Sequence, residues 1–361
     1  MGPDSPAAEK QKIGDARNLG TKPKAPEGLN ENYARELMEL HTLGVNGGYT
    51  QADVTQVARV LTGWTVDRPQ RGGGFKFDAN RHEPGDKKVL GKKIKENGEQ
   101  EGIDLLHMLA TRPDTAKFLS RKLAVRFVGD DPPQSLVDLM TKSYLSSGGD
   151  IAVVLKTLFH SPEFWAAGAY RAKVKTPIEF VISAARASNA TTDNLQPLVN
   201  ALHDMGMTLY GAVPPTGYNW RSSTWVSTGA LVNRMNFALA LAANKLPGIS
   251  VAWAAPQDSS AAPTITFTGP AAEEERLESL LVAGGLSKAT RVALLDQFRD
   301  QATAAQATAE STVQSVQAAM PARTVLVTAK PLNTAPAATA LERQDQLLAG
   351  LLLGSPEFQR R

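Results

Sequence analysis

The strongest constraint on this chain is the period of its apolar residues. They recur at helical spacing through most of its 361 residues. Val54, Val57, Ala58 and Leu61 do so behind a capping-box-like opening at Thr50 and Asp53. Only one stretch alternates as strands do: "FKFD", the turn "HEPGD", and the return "KKVLGKKI". The expected fold is mainly α, a multi-helical array with one small β-hairpin insertion near 74–95.

Further helices are expected in several pieces from Glu101 to Trp165, then over 176–188, 193–205 and 228–245, and beyond these near 272–284, 287–318 and 338–354. The Pro- and Gly-rich start predicts an extended segment over 1–29 ahead of a helical core at 30–245. Residues 246–271 are small, Pro-bearing and turn-rich, which predicts a linker or irregular cover, and 272–361 forms a C-terminal helical region. Within it, "DQATAAQATAESTVQSVQAAM" has few large apolar residues and suits an exposed helix. "LFHSPEFW" and "LLGSPEFQ" share a Ser-Pro-Glu-Phe core, in which serine caps a helix, proline occupies its first turn and a carboxylate meets the positive end of its dipole.

Composition narrows the function classes. Hydrophobic content of 42% against 21% charged residues is that of a globular protein, and no apolar run reaches the length of a membrane span. Without cysteine, disulfides, thiolate metal sites and cysteine nucleophiles are excluded, while the compartment stays open. A net charge of +3, with no basic run interleaved with aromatics, gives no footprint for a nucleic-acid partner. The start has no apolar core of the signal-peptide kind, so the chain as written is expected to be cytoplasmic.

Several catalytic signatures are missing: no Gly-x-Ser-x-Gly elbow, no His-Glu-x-x-His helix, no phosphate-binding loop and no EF-hand carboxylate pattern. What remains is a constellation of acid/base groups. On a helix from Tyr33 to Leu43, a 3.6-residue period puts His41 among Tyr33, Ala34, Leu37, Met38 and Leu40, facing inward, with Glu36 and Glu39 along the flank. Asp53 opens the next helix, and His82, Glu83 and Asp86 occupy the hairpin turn. Glu36, Glu39, His41 and His82 are the catalytic candidates. Glu36, Asp53, His82 and Asp86 are the candidate ligands for a divalent cation such as Ca²⁺, which would activate water. Arg126, a candidate substrate-binding residue, sits among apolar residues of "AKFLSRKLAVRFV", either snorkelling or reaching Glu36 or Glu39 as an ion pair. Tyr218, Trp220 and Trp225 in "VPPTGYNWRSSTWVS" either line a ligand mouth or plug a gap between helices.

The segments "GLNENYARELMELHTLGVNGGYTQADVTQVARVLTGWT", "HEPGDKKVLG", "KFLSRKLAVRFVGDDPP", "SGGDIAVVLKTLFHSPEFW", "KVKTPIEFV", "MGMTLYGAVPPTGYNW" and "LVNRMNFALAL" together resemble the bacterial domain of unknown function 1800 family, over roughly residues 1–245 and again at "GSPEFQRR". The resemblance implies a longer N-terminal helical portion and export to the periplasm or envelope in typical members, so this chain is expected to be a truncated member or one with a downstream start. It implies no activity. Two principal functional readings follow. One is a hydrolase of small esters or lactones that activates water with carboxylate and histidine groups, with Ca²⁺ assistance. The other is a non-enzymatic, envelope-associated helical binding or assembly module with a protein or polymer partner. A third confines a divalent ion to clamping the hairpin onto the motif helix.

Overall fold

The computed structural model describes residues 2–17, 28–253, 270–300 and 340–361. It is mainly helical, with three two-stranded antiparallel sheets among these residues. The chain forms two compact units, Met1–Ala169 and Tyr170–Arg361, so they divide inside the region expected as one helical core. No helix among the described residues is long and apolar enough to cross a membrane.

In the first unit α1 (Pro6–Arg17) replaces the extended start: proline enters its first turn and the Ser5 hydroxyl accepts the Ala8 amide. The helix α2 (Glu31–Glu36) continues as a π-helical turn, Leu37–Thr42, before α3 (Gln51–Val60). The helices α4 (Glu99–Ala110) and α5 (Pro113–Phe127) follow the strands. Then come α6 (Gln134–Ser146), α7 (Ile151–Phe159) and the short α8 (Pro162–Trp165). One apolar cluster joins Ala34, Met38, Leu43, Val54, Val57, Val89 and Leu105. Another joins Ala116, Leu136, Met140, Val154 and Leu158.

The single expected hairpin is two. "FKF" forms β2 (Phe75–Phe77), which pairs with β1 (Trp64–Val66) and not with the lysine-rich segment. β3 (Lys87–Val89) pairs with β4 (Lys92–Ile94). Local turns decide this. A 3₁₀ turn at Ala79–Arg81 redirects the chain after β2, and Leu90 and Gly91, both at positive φ (51° and 79°), close β3 onto β4 in two residues.

The second unit contains α9 (Pro177–Ala187), β5 (Thr191–Thr192), α10 (Gln196–Asp204), α11 (Thr228–Ala242), β6 (Ile249–Ser250) and α12 (Pro270–Leu281). A helix over 288–300, α13, and α14 (Ala340–Leu353) complete it. Its core joins Phe180, Leu202, Phe237, Leu241, Leu277, Leu348 and Phe358. The start of the expected linker is part of this core: Ile249 pairs with Thr192, and Val251 and Trp253 are buried. The remainder of that linker, 254–269, and the Ala-, Thr- and Gln-rich stretch beyond 300 lie outside the described residues. Both Ser-Pro-Glu-Phe segments turn a corner as expected, with the Ser161 hydroxyl accepting the Phe164 amide and the Ser355 hydroxyl the Phe358 amide.

Candidate functional site

The π-helical turn changes the face that His41 occupies. The Leu43 amide reaches back five residues to the Met38 carbonyl, at 2.7 Å. The buried series is therefore Ala34, Met38, Leu43, and His41 rotates out to an exposed position. This corrects the inward placement, which assumed a 3.6-residue period to the end of the helix. Tyr33 is likewise 54% exposed. Glu36 and Glu39 are half-buried. The Tyr49 hydroxyl lies 3.5 Å from Glu39 Oε2, and burial, followed by the Glu39 charge, raises the Tyr49 pKa. Arg126 is half-buried on α5, which packs against the π-helical turn.

His82, in contrast, is buried in a polar cluster of its own. Gly63, at φ 85°, lets the chain pass close by: a Cβ there would come within 2.8 Å of the Asp78 carbonyl oxygen and 3.2 Å of His82 Cβ. His82 Nδ1 donates to the Thr62 carbonyl at 2.8 Å, which fixes a proton on that nitrogen. Its Nε2 lies 2.9 Å from Glu101 Oε1 and 3.2 Å from Lys87 Nζ. Lys87, also buried, donates to the Glu83 carbonyl at 2.6 Å and pairs with Glu101 Oε2 at 2.7 Å. Glu101 is wholly buried. Burial alone would raise its pKa, but the Lys87 hydrogen bond, the Asn97 amide and His82 together hold it below the ordinary carboxylate value. Glu83 accepts the Asp4 amide at 3.0 Å and lies 3.7 Å from Arg59 Nε, tying the N-terminal segment to the same cluster.

The expected metal ligands do not converge. Asp53 accepts from Thr50 in a capping box and from the Leu90 amide at 2.7 Å. Burial opposes its ionisation, yet these hydrogen bonds keep its pKa low. Asp86 is bound by Lys93 at 2.5 Å and by the Glu96 amide, the Lys93 hydrogen bond being the main reason its pKa is lowered. Among the described residues no group of three or more His, Asp and Glu side chains is placed to hold a metal ion. Sequence reasoning included His82 and Glu83 but missed Lys87 and Glu101. Alternation in "KKV" could have found Lys87, since it shares the inward face with Val89. Glu101 carries a helix-start signal: its carboxylate accepts the Asn97 and Gly98 amides.

A cleft of about 380 Å³ adjoins this cluster, lined in part by Tyr33, Leu61, Thr62, Trp64 and Phe75. The Thr62 carbonyl accepts from His82, so the imidazole sits behind one cleft wall. Both ring nitrogens are engaged within the protein, which suits positioning and charge balance better than proton transfer to a ligand.

The aromatic loop of the second unit is ordered by its own hydrogen bonds. Tyr218 donates to the Thr208 carbonyl at 2.7 Å, Trp225 Nε1 to the Asn219 carbonyl at 3.0 Å, and Lys173 Nζ to the Trp220 carbonyl at 3.1 Å. Trp225 is buried, Tyr218 half-buried and Trp220 48% exposed, so the three expected ligand residues are one plug, one brace and one presented ring. Tyr210 and Val213, which sequence reasoning did not single out, are almost completely exposed. Tyr210 also holds left-handed backbone, φ 55°.

The model of the family described as "Protein of unknown function (DUF1800)" matches residues 10–360. Comparison with curated proteins and with solved structures returns no match. The chain belongs to the DUF1800 family.

Proposed function

We propose that this DUF1800 member is a non-enzymatic helical binding module of the cell envelope, which engages a protein partner through the loop over 207–226. The observation that carries the reading is Tyr210. Left-handed backbone at a non-glycine residue costs roughly 1 kcal/mol or more, and the fully exposed Tyr210 ring returns no burial to offset it. Trp220 and Arg221 on the same loop supply aromatic and guanidinium groups of the kind that dominate protein interfaces, with the exposed Val213 adding apolar surface beside them in sequence. Hydrogen bonds from Tyr218, Trp225 and Lys173 fix the loop in advance, lowering the entropy cost of binding.

Ester or lactone hydrolysis is less well supported, because His41 lies exposed on its helix and both ring nitrogens of His82 are engaged internally. A photoreactive residue placed at position 210 in the host cell tests the binding reading, with position 139 on the first unit as an exposed control. A discrete crosslinked product at 210, absent at 139 and lost in Trp220→Ser, is the expected result. No product at 210, together with ester hydrolysis that disappears in His82→Ala and in His41→Ala while both variants stay folded, would overturn the reading in favour of an enzyme.

A further inference from the structure

A second feature of the Tyr170–Arg361 unit is separate from the aromatic loop. A cleft of about 340 Å³ lies between the segment entering α9, the end of α12 and the closing segment of the chain. Among its lining residues Arg171, Lys175, Arg360 and Arg361 are cations and Glu357 is a carboxylate. Glu357 is already committed: its Oε1 accepts the Ser287 amide at 3.1 Å and the Thr290 hydroxyl at 2.8 Å. The nearby Glu179 carboxylate accepts from Thr176 and pairs with Arg361 at 3.2 Å. The cleft therefore carries an excess of positive charge within a partly desolvated wall.

Lys175 is the focus of that excess. Its ammonium lies 3.9 Å from the centroid of the Phe358 ring and makes no hydrogen bond to a described residue. Burial first, then the charges of Arg171 and Arg234, depress its pKa to about 8 against an opposing contribution from Glu179. Beside it Arg234 is completely buried over the Phe180 ring. One guanidinium nitrogen of Arg234 donates to the Lys175 carbonyl at 2.7 Å, while Nε and Nη1 have no acceptor among the described residues. Burial pushes the Arg234 pKa down to about 10. Glu179 offsets these two charges only in part, and an anion bound at the half-buried Lys175 would offset them further. Apart from Ser183, the rest of the wall is apolar or aromatic, with Tyr170, Leu281 and Val282.

We infer that this cleft binds a small organic acid, its carboxylate paired with Lys175 and Arg360 and its apolar body against Phe358 and Leu281. A monoanion with an apolar body matches such walls better than a fully hydrated inorganic anion does. Binding restores the proton on Lys175 at alkaline pH, because a carboxylate partner favours the ammonium form.

The test is calorimetric titration of the full chain with benzoate, and separately with inorganic phosphate, at pH 7 and pH 9 in buffers of different ionisation enthalpy. Saturable benzoate binding is expected, with proton uptake at pH 9 and phosphate weaker by about tenfold or more. Lys175→Met should abolish binding and the proton uptake, and the exposed Arg360→Ala should weaken binding about tenfold with the fold intact. No benzoate binding to the wild-type chain, or wild-type affinity retained in both Arg360→Ala and Lys175→Met, would overturn the site. Phosphate binding as tight as benzoate would overturn the organic-acid assignment.

Discussion

The two units bury charge in opposite ways. In the first, Glu101 forms an ion pair with Lys87 at 2.7 Å with His82 beside it, and the carboxylate is held low. In the second, Lys175 and Arg234 are depressed to about 8 and about 10, and two carboxylates of α12 and α14 are raised. Glu274 is pushed up to about 7 by burial and by a hydrogen bond with Glu278, and Asp345 to about 6 by burial and the Glu273 charge. A balanced cluster locks a fold together, whereas unbalanced groups hold free energy that a ligand, a partner or a change of pH can release. The histidine that a sequence reader would assign to catalysis lies in the balanced cluster. The residues poised to respond to their surroundings are lysine, arginine and carboxylates of the other unit.

The largest expected effect is on the balanced side. Glu101→Ala leaves Lys87 and His82 buried without their carboxylate and should destabilise the first unit by about 3–5 kcal/mol in urea unfolding. A loss below about 1 kcal/mol would mean the cluster is solvated and not a structural lock. Next comes the pH dependence of the second unit. The folded pKa values of Glu274 and Asp345 lie above their ordinary values of 4.5 and 3.8. The stability they contribute is thus complete below about pH 4 and lost as pH rises through about 6 to 7. Denaturant midpoints followed from pH 5 to pH 8 should fall accordingly, by about 1–3 kcal/mol, and Glu274→Gln should flatten much of the slope. An unchanged slope in that variant would place the titration elsewhere.

Two smaller effects sharpen the contrast. His41→Ala, at an exposed position, should change stability by less than about 0.5 kcal/mol, against roughly 2 kcal/mol for the buried His82→Ala. Equal losses in the two variants would return His41 to the core. Thermal melts in EDTA and in added Ca²⁺ should coincide, since Asp53 and Asp86 are bonded to other partners and do not converge with His82. A rise of several degrees in Ca²⁺, absent in Asp86→Asn, would reinstate the metal site.

Much of the helical architecture was legible because amphipathic period and caps agree locally: Thr50 with Asp53 and Thr176 with Glu179 both form the boxes their spacing announces. The hidden parts depend on non-local or irregular geometry. A single π-helical turn at Leu37–Thr42 is invisible to a 3.6-residue period, yet it moves His41 from the core to solvent. The strand pairing failed for a similar reason, because Leu90 in left-handed backbone is not a residue that advertises a two-residue turn. Lys87 and Glu101 meet across the fold from positions 14 apart, and no local pattern reports that contact. In the candidate recognition loop the aromatics Tyr218, Trp220 and Trp225 stood out by composition, but only the fold separates the buried Trp225 from the partly exposed Trp220 and shows Tyr210 as the most exposed ring among the described residues.

The most direct test sets the two regions against each other: photoreactive residues at position 210 on the aromatic loop and at position 41 on the motif helix, expressed at equal levels in the host cell. The expected result is a discrete crosslinked partner at 210 and none at 41. A partner captured at 41 with none at 210 would contradict the assignment of recognition to the second unit and return function to the motif helix.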